Sequence, residues 1–98
     1  MNIVKYDEYR SEKKRFFSKH NNDFQCETQG SSAEYYRKTY VFGDGSTWYE
    51  VMNRISKPAN VEVNLTNITV NIDLLQTEYW NSDEGESKFY YEPWEVKS

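Results

Sequence analysis

The sequence predicts an α+β fold, with an N-terminal helix packed on a mostly antiparallel sheet of five or six short strands in a single domain, 1–98. Three observations carry this. The apolar period is helical over residues 4–20 and alternating from Phe24 onward. Gly43-Asp44-Gly45-Ser46 is a hairpin signal, because Gly and Asp tolerate the positive φ of tight turns. The parity of the aliphatic positions flips between Leu65 and Ile68, as it does across a short turn.

Tyr6, Tyr9, Phe16, Phe17 and His20 recur at helical spacings, with Lys13 interrupting the stripe. Lys, Arg and Glu fill the other face and favour the helix. Asn21-Asn22-Asp23 ends it, Asn being a suitable C-terminal residue.

Phe24, Cys26 and Thr28 then alternate with Gln25 and Glu27, which predicts a strand with Cys26 as a small buried residue. Gly30-Ser31-Ser32 is a turn. Residues 34–42 form the next strand, with Tyr36, Tyr40 and Phe42 on one side. Residues 47–53 return, with Trp48, Glu50 and Met52 opposite in facing to Tyr49, Val51 and Asn53. A turn at Thr66-Asn67 would pair Leu65 with Ile68 and Val63 with Val70, placing the aliphatics of 61–72 on one face. A bulge in one long strand also accounts for the flip, and the hairpin is preferred because Asn accepts turn geometry. Leu74–Trp80 continues as strand, or opens with a helical turn at 73–76. Residues 81–87 are a polar, acidic loop. Residues 88–96 close the chain as an aromatic strand that Pro93 demotes to a sheet edge.

Apolar residues make up only 37% of the chain, but aromatics reach 17%. Each buried ring removes about 150–250 Å² from water, so aromatics substitute for a missing aliphatic core. They cannot all be interior in a chain this small, so some Tyr and Trp should serve a binding surface. No apolar run approaches the roughly 18 residues of a membrane span. Residues 1–20 lack an apolar leader segment and carry nine charges, which predicts a cytoplasmic location. The lone Cys26 agrees. The sequons at Asn64 and Asn67 read as chance occurrences in an Asn-rich chain.

The residues predict no enzyme, metal site or cofactor. One His and one Cys are a poor ligand set, and His20 in the last helical turn is simply favoured by the helix dipole. A Cys–His nucleophile pair lacks a third group and an oxyanion site. Gly43–Ser46 lacks the Lys-Ser/Thr ending of a phosphate loop and the ligand spacing of a calcium loop.

Charge is segregated. Residues 1–20 carry a balance of +3, residues 21–77 carry −3 and residues 78–98 carry −4. The acidic final segment interleaves Glu78, Asp83, Glu84, Glu86 and Glu92 with Tyr79, Trp80, Tyr90 and Trp94, and these nine residues are the candidate partner-binding set. Aromatic anchors give affinity and surrounding acids steer toward a basic target. The competing reading makes the aromatics core and the acids a solvated rim. Arg10, Lys13 and Lys14 form an alternative basic patch, suited to phosphates. The interspersed acids and the net charge of −4 argue against nucleic acid as the main partner.

In size, charge and composition the whole chain resembles phage-encoded anti-defence proteins, including anti-CRISPR inhibitors. The resemblance implies a small inhibitor that blocks a basic, nucleic-acid-handling protein surface, such as an effector or nuclease, in the host cytoplasm and away from membranes. Two other classes remain open: a toxin-neutralising immunity protein, and a small nucleic-acid-binding protein using the basic helix.

Overall fold

A computed structural model describes residues 2–30, 32–55 and 73–93. One helix, α1 (Tyr6–Lys19), lies on a five-stranded antiparallel sheet. The strands are β1 (Phe24–Gln29), β2 (Tyr35–Phe42), β3 (Thr47–Ile55), β4 (Leu74–Asn81) and β5 (Lys88–Pro93), and they neighbour one another in chain order. This is the α+β architecture that the change of period indicates. Leu74–Trp80 is strand as expected, and not a helical turn opening at 73–76, since Leu74, Leu75 and Gln76 pair with both β3 and β5. The 61–72 hairpin and residues 94–96 lie outside the described residues.

Asp7 and Glu8 sit in the first helical turn, where the dipole favours acids. Asn21 and Asn22 end the helix at φ 63° and 53°, and the Asn22 N–H donates to the Phe17 carbonyl at 2.8 Å. Asn tolerates this left-handed geometry better than most residues. Gly45 takes φ 90° in the β2–β3 turn, which a side chain would resist.

Alternation puts Tyr40, Phe42, Trp48, Glu50, Met52, Tyr79 and Tyr90 on the face that α1 covers. The helix crosses this face diagonally. Its start meets β5 through Tyr9 and Tyr90, with ring centroids 4.4 Å apart. Its end meets β1 and β2 through Phe17, whose ring is 5.1 Å from both Phe24 and Tyr40. The main core cluster of described residues is Val4, Tyr9, Phe16, Tyr40, Phe42, Trp48, Tyr79 and Tyr90, so all but one of its members are aromatic. Trp48 stacks on Tyr79 at 5.4 Å and anchors the centre. On the opposite face, Leu74 and Tyr91 form a smaller cluster with Ile55 and Phe89 packed against it.

Cys26 is exposed, contrary to the alternation-based expectation of burial. It shares the facing of Phe24, but β1 is an edge strand that Phe17 of the helix touches at the Phe24 ring, and all six of its residues are exposed. No helix among the described residues is long and apolar enough to cross a membrane.

Candidate functional site

The acidic aromatic segment does not form one surface. Tyr79 and Tyr90 are only 1% and 4% exposed and belong to the core, so neither is a partner anchor. Strand alternation turns their neighbours outward. Trp80 is half-buried on the face away from α1, where it stacks on Tyr49 with ring centroids 5.5 Å apart and planes 16° from parallel. Glu78 lies on the same face between Val51 and Phe89. Glu92 is half-buried on the helix side, and burial holds its carboxyl above the usual carboxylate range. Trp94 lies outside the described residues.

The loop acids are largely occupied inside the chain. Asp83 accepts from Lys19 Nζ at 3.1 Å and from His20 Nε2 at 3.0 Å. Glu84 pairs with Lys88 Nζ at 2.7 Å. Glu86 accepts from the neutral Asn2 amide at 2.9 Å and has no ion-pair partner among the described residues. Asp83 and Glu84 are therefore structural pins rather than free steering charges. Lys88 also pairs with Glu12, which accepts from the Tyr79 hydroxyl as well.

The basic patch divides in the same way. Lys13 reaches inward to Glu50 at 2.8 Å. Arg10 lies 5.9 Å from the Tyr6 ring centroid, and Lys14 is exposed. These residues, with Tyr9 and Phe17, line a groove of about 800 Å³ along α1.

Two polar nodes escape a reading by spacing alone. At the first, Glu50 is 2% exposed and accepts from Tyr9 Oη at 2.6 Å and Trp48 Nε1 at 3.0 Å. Burial and the Glu50 charge push the Tyr9 hydroxyl far above the usual phenol range. The parity shared with Trp48 and Met52 was the available signal that residue 50 faces inward.

At the second node, His20 sits between two loops. Its Nδ1 is 2.5 Å from Asp44 Oδ2 in the β2–β3 turn, and its Nε2 meets Asp83 in the β4–β5 loop. Ser46 Oγ lies 3.2 Å from Nδ1. The bonds to Asp83 and then Asp44 raise the imidazole pKa against the effect of burial. Asp44 is held down at about 2, first by the Ser46 backbone N–H and then by His20. Asp83 is lowered mainly by His20. Each ring nitrogen already faces a carboxylate oxygen, so neither is left free to take a proton from Ser46, and Ser46, His20 and Asp83 do not make a working nucleophile–base set. The two carboxylates also address opposite ring nitrogens instead of converging on a point. Among the described residues, no group of three or more His, Cys, Asp or Glu side chains is placed to hold a metal ion.

This node predicts a pH dependence. The raised His20 pKa contributes stability that is complete below the unfolded value of about 6.5 and is lost as pH rises through the folded value. The lowered Asp44 and Asp83 values contribute stability present above about 4 and lost as pH falls through theirs. Urea unfolding should show wild type losing stability as pH rises above the unfolded His value of about 6.5. His20→Asn should flatten that slope, and an unchanged slope would show that the imidazole is not the titrating group.

No known family, curated protein or solved structure matches this chain.

Proposed function

We propose that this chain is a small binding protein that covers a basic surface on a nucleic-acid-handling protein, in the manner of phage anti-defence inhibitors, and acts in the host cytoplasm without catalysis. The observation that carries this reading is the Trp80–Tyr49 ring stack on the sheet face opposite α1, with Glu78 one row away and the exposed acidic loop following directly in the chain. Large, rigid, amphipathic rings are effective contact anchors, and uncompensated acids beside them favour a basic partner. A toxin nuclease would meet the same surface, which makes an immunity protein the nearest relative of this reading.

The partner captured from a host lysate should release Trp80→Ala about tenfold faster or more. Glu78→Lys with Glu86→Lys should slow association and weaken its salt dependence. These two positions are chosen because neither holds an ion pair among the described residues, whereas reversing Asp83 or Glu84 would set a cation against His20, Lys19 or Lys88. Unchanged binding in both variants would overturn the proposal. The groove beside Arg10 and Lys14 supports a second reading, nucleic-acid binding, for which salt-sensitive oligonucleotide affinity lost in Arg10→Ala with Lys14→Ala is the test.

A further inference from the structure

The two edges of the sheet are finished differently. The outer side of β5 is closed by the chain's own start: the Val4 N–H donates to the Phe89 carbonyl at 2.8 Å, and the Phe89 N–H donates to the Asn2 carbonyl at 2.9 Å. Among the described residues, nothing makes a backbone bond to the outer side of β1. Proteins usually blunt such an edge with lysine, proline or a bulge. Phe24–Gln29 contains no lysine or proline, its pairing with β2 is unbroken, and Glu27 is its only charge.

The outward groups can be identified. The Gly43 N–H donates to the Asp23 carbonyl at 2.9 Å, so residue 23 faces β2. In an antiparallel ladder both backbone groups of a residue point to one side, and successive residues alternate. Gln25, Glu27 and Gln29 therefore bond toward β2, while Phe24, Cys26 and Thr28 present their N–H and C=O groups to solvent.

We propose that β1 pairs antiparallel with β1 of a second copy of this chain, about a two-fold axis at Cys26, making the two sheets continuous. The register follows from the same alternation. Only shifts by an even number of residues keep bonding groups facing each other. With Cys26 at the axis, Phe24 faces Thr28 of the second copy, and every outward residue of both strands is paired. Gln25 then faces Glu27 of the second copy, so no like charges meet. A shift one way sets Glu27 against Glu27, and a shift the other way leaves Thr28 without a partner. The self-complementary arrangement selects a second copy over an unrelated strand. It does not depend on the proposed inhibitor function, because the Trp80–Tyr49 stack lies across β3 and β4.

Sedimentation from about 10 μM to about 1 mM, a range suited to a small interface, should show the mass rising from 11.8 kDa toward twice that value. Thr28→Pro deletes an outward N–H and leaves the ladder to β2 intact, so it should remain monomeric with unchanged circular dichroism and melting. The exposed Gln25 gives a register test that does not disturb the fold. Gln25→Lys should tighten the dimer and Gln25→Glu should weaken it, each by roughly two- to thirtyfold over the two symmetric pairs. A wild type that stays monomeric overturns the proposal and leaves the edge to a strand from another protein. A dimer indifferent to Thr28→Pro, or one that responds in the same direction to both Gln25 changes, overturns it as well.

Discussion

Glu50→Ala should destabilise the fold by about 3–5 kcal/mol, the range for removing one partner from a buried ion pair. The carboxylate is the common acceptor for the Tyr9 hydroxyl, the Trp48 indole N–H and the Lys13 ammonium. Alanine leaves the phenol and the indole N–H without an acceptor among aromatic rings, and an unmade bond to a buried donor costs about 1–3 kcal/mol. It also leaves Lys13, 27% exposed, without its counter-charge. Glu50→Gln keeps an acceptor oxygen and should cost less. Replacing Lys13 and Glu50 together by methionine should recover only the part due to the unpaired Lys13 charge, because the Tyr9 hydroxyl and the Trp48 indole N–H still lack their acceptor. Urea denaturation of the double-mutant cycle measures the coupling. A loss under about 1 kcal/mol for Glu50→Ala would mean that the donors find other acceptors.

Trp48→Ala should cost about 3–5 kcal/mol as well, through a different mechanism. The indole is fully buried and lies 5.4 Å from both the Phe16 and Tyr79 ring centroids, in a cluster whose described members are all aromatic except Val4, so few flexible side chains can collapse into the gap. A chain of this length commonly has only about 5–15 kcal/mol of total stability. The melting temperature should therefore fall by more than about 12 °C. Trp48→Phe, which keeps a ring in the stack but loses the N–H to Glu50, should lose less than half as much. Equal losses for Phe and Ala would assign the role of Trp48 to its hydrogen bond rather than its volume.

The candidate site was only partly readable from sequence. Alternation shows that Tyr79 and Trp80 point to opposite faces, and it cannot say which face the helix covers. That depends on packing by Tyr9 and Phe16, and it reverses the meaning of every residue in β4: Tyr79 becomes core and Trp80 becomes surface. Asp83 reads as free charge because its partners, Lys19 and His20, lie more than sixty positions away in the chain, whereas the partner of Glu84 is only four positions on. Asp83 finds His20, and Lys88 finds both Glu84 and the distant Glu12.

By itself, the sequence determined the local order of this protein. Its helical aromatic stripe, its Asn-rich stop, its period-two strands and the Gly-Asp-Gly-Ser turn each depend on backbone preferences and near neighbours. The substitution of aromatics for an aliphatic core was likewise visible in composition. Tertiary structure alone decided which groups are buried and which charges are spent. A helix is only about 10–12 Å wide, so one helix laid diagonally over five strands shelters Trp48, Glu50 and Tyr79 and leaves Cys26 exposed, touching β1 only through Phe24. Burial and pairing depend on where that single element lands, and its position is set by contacts between residues tens of positions apart.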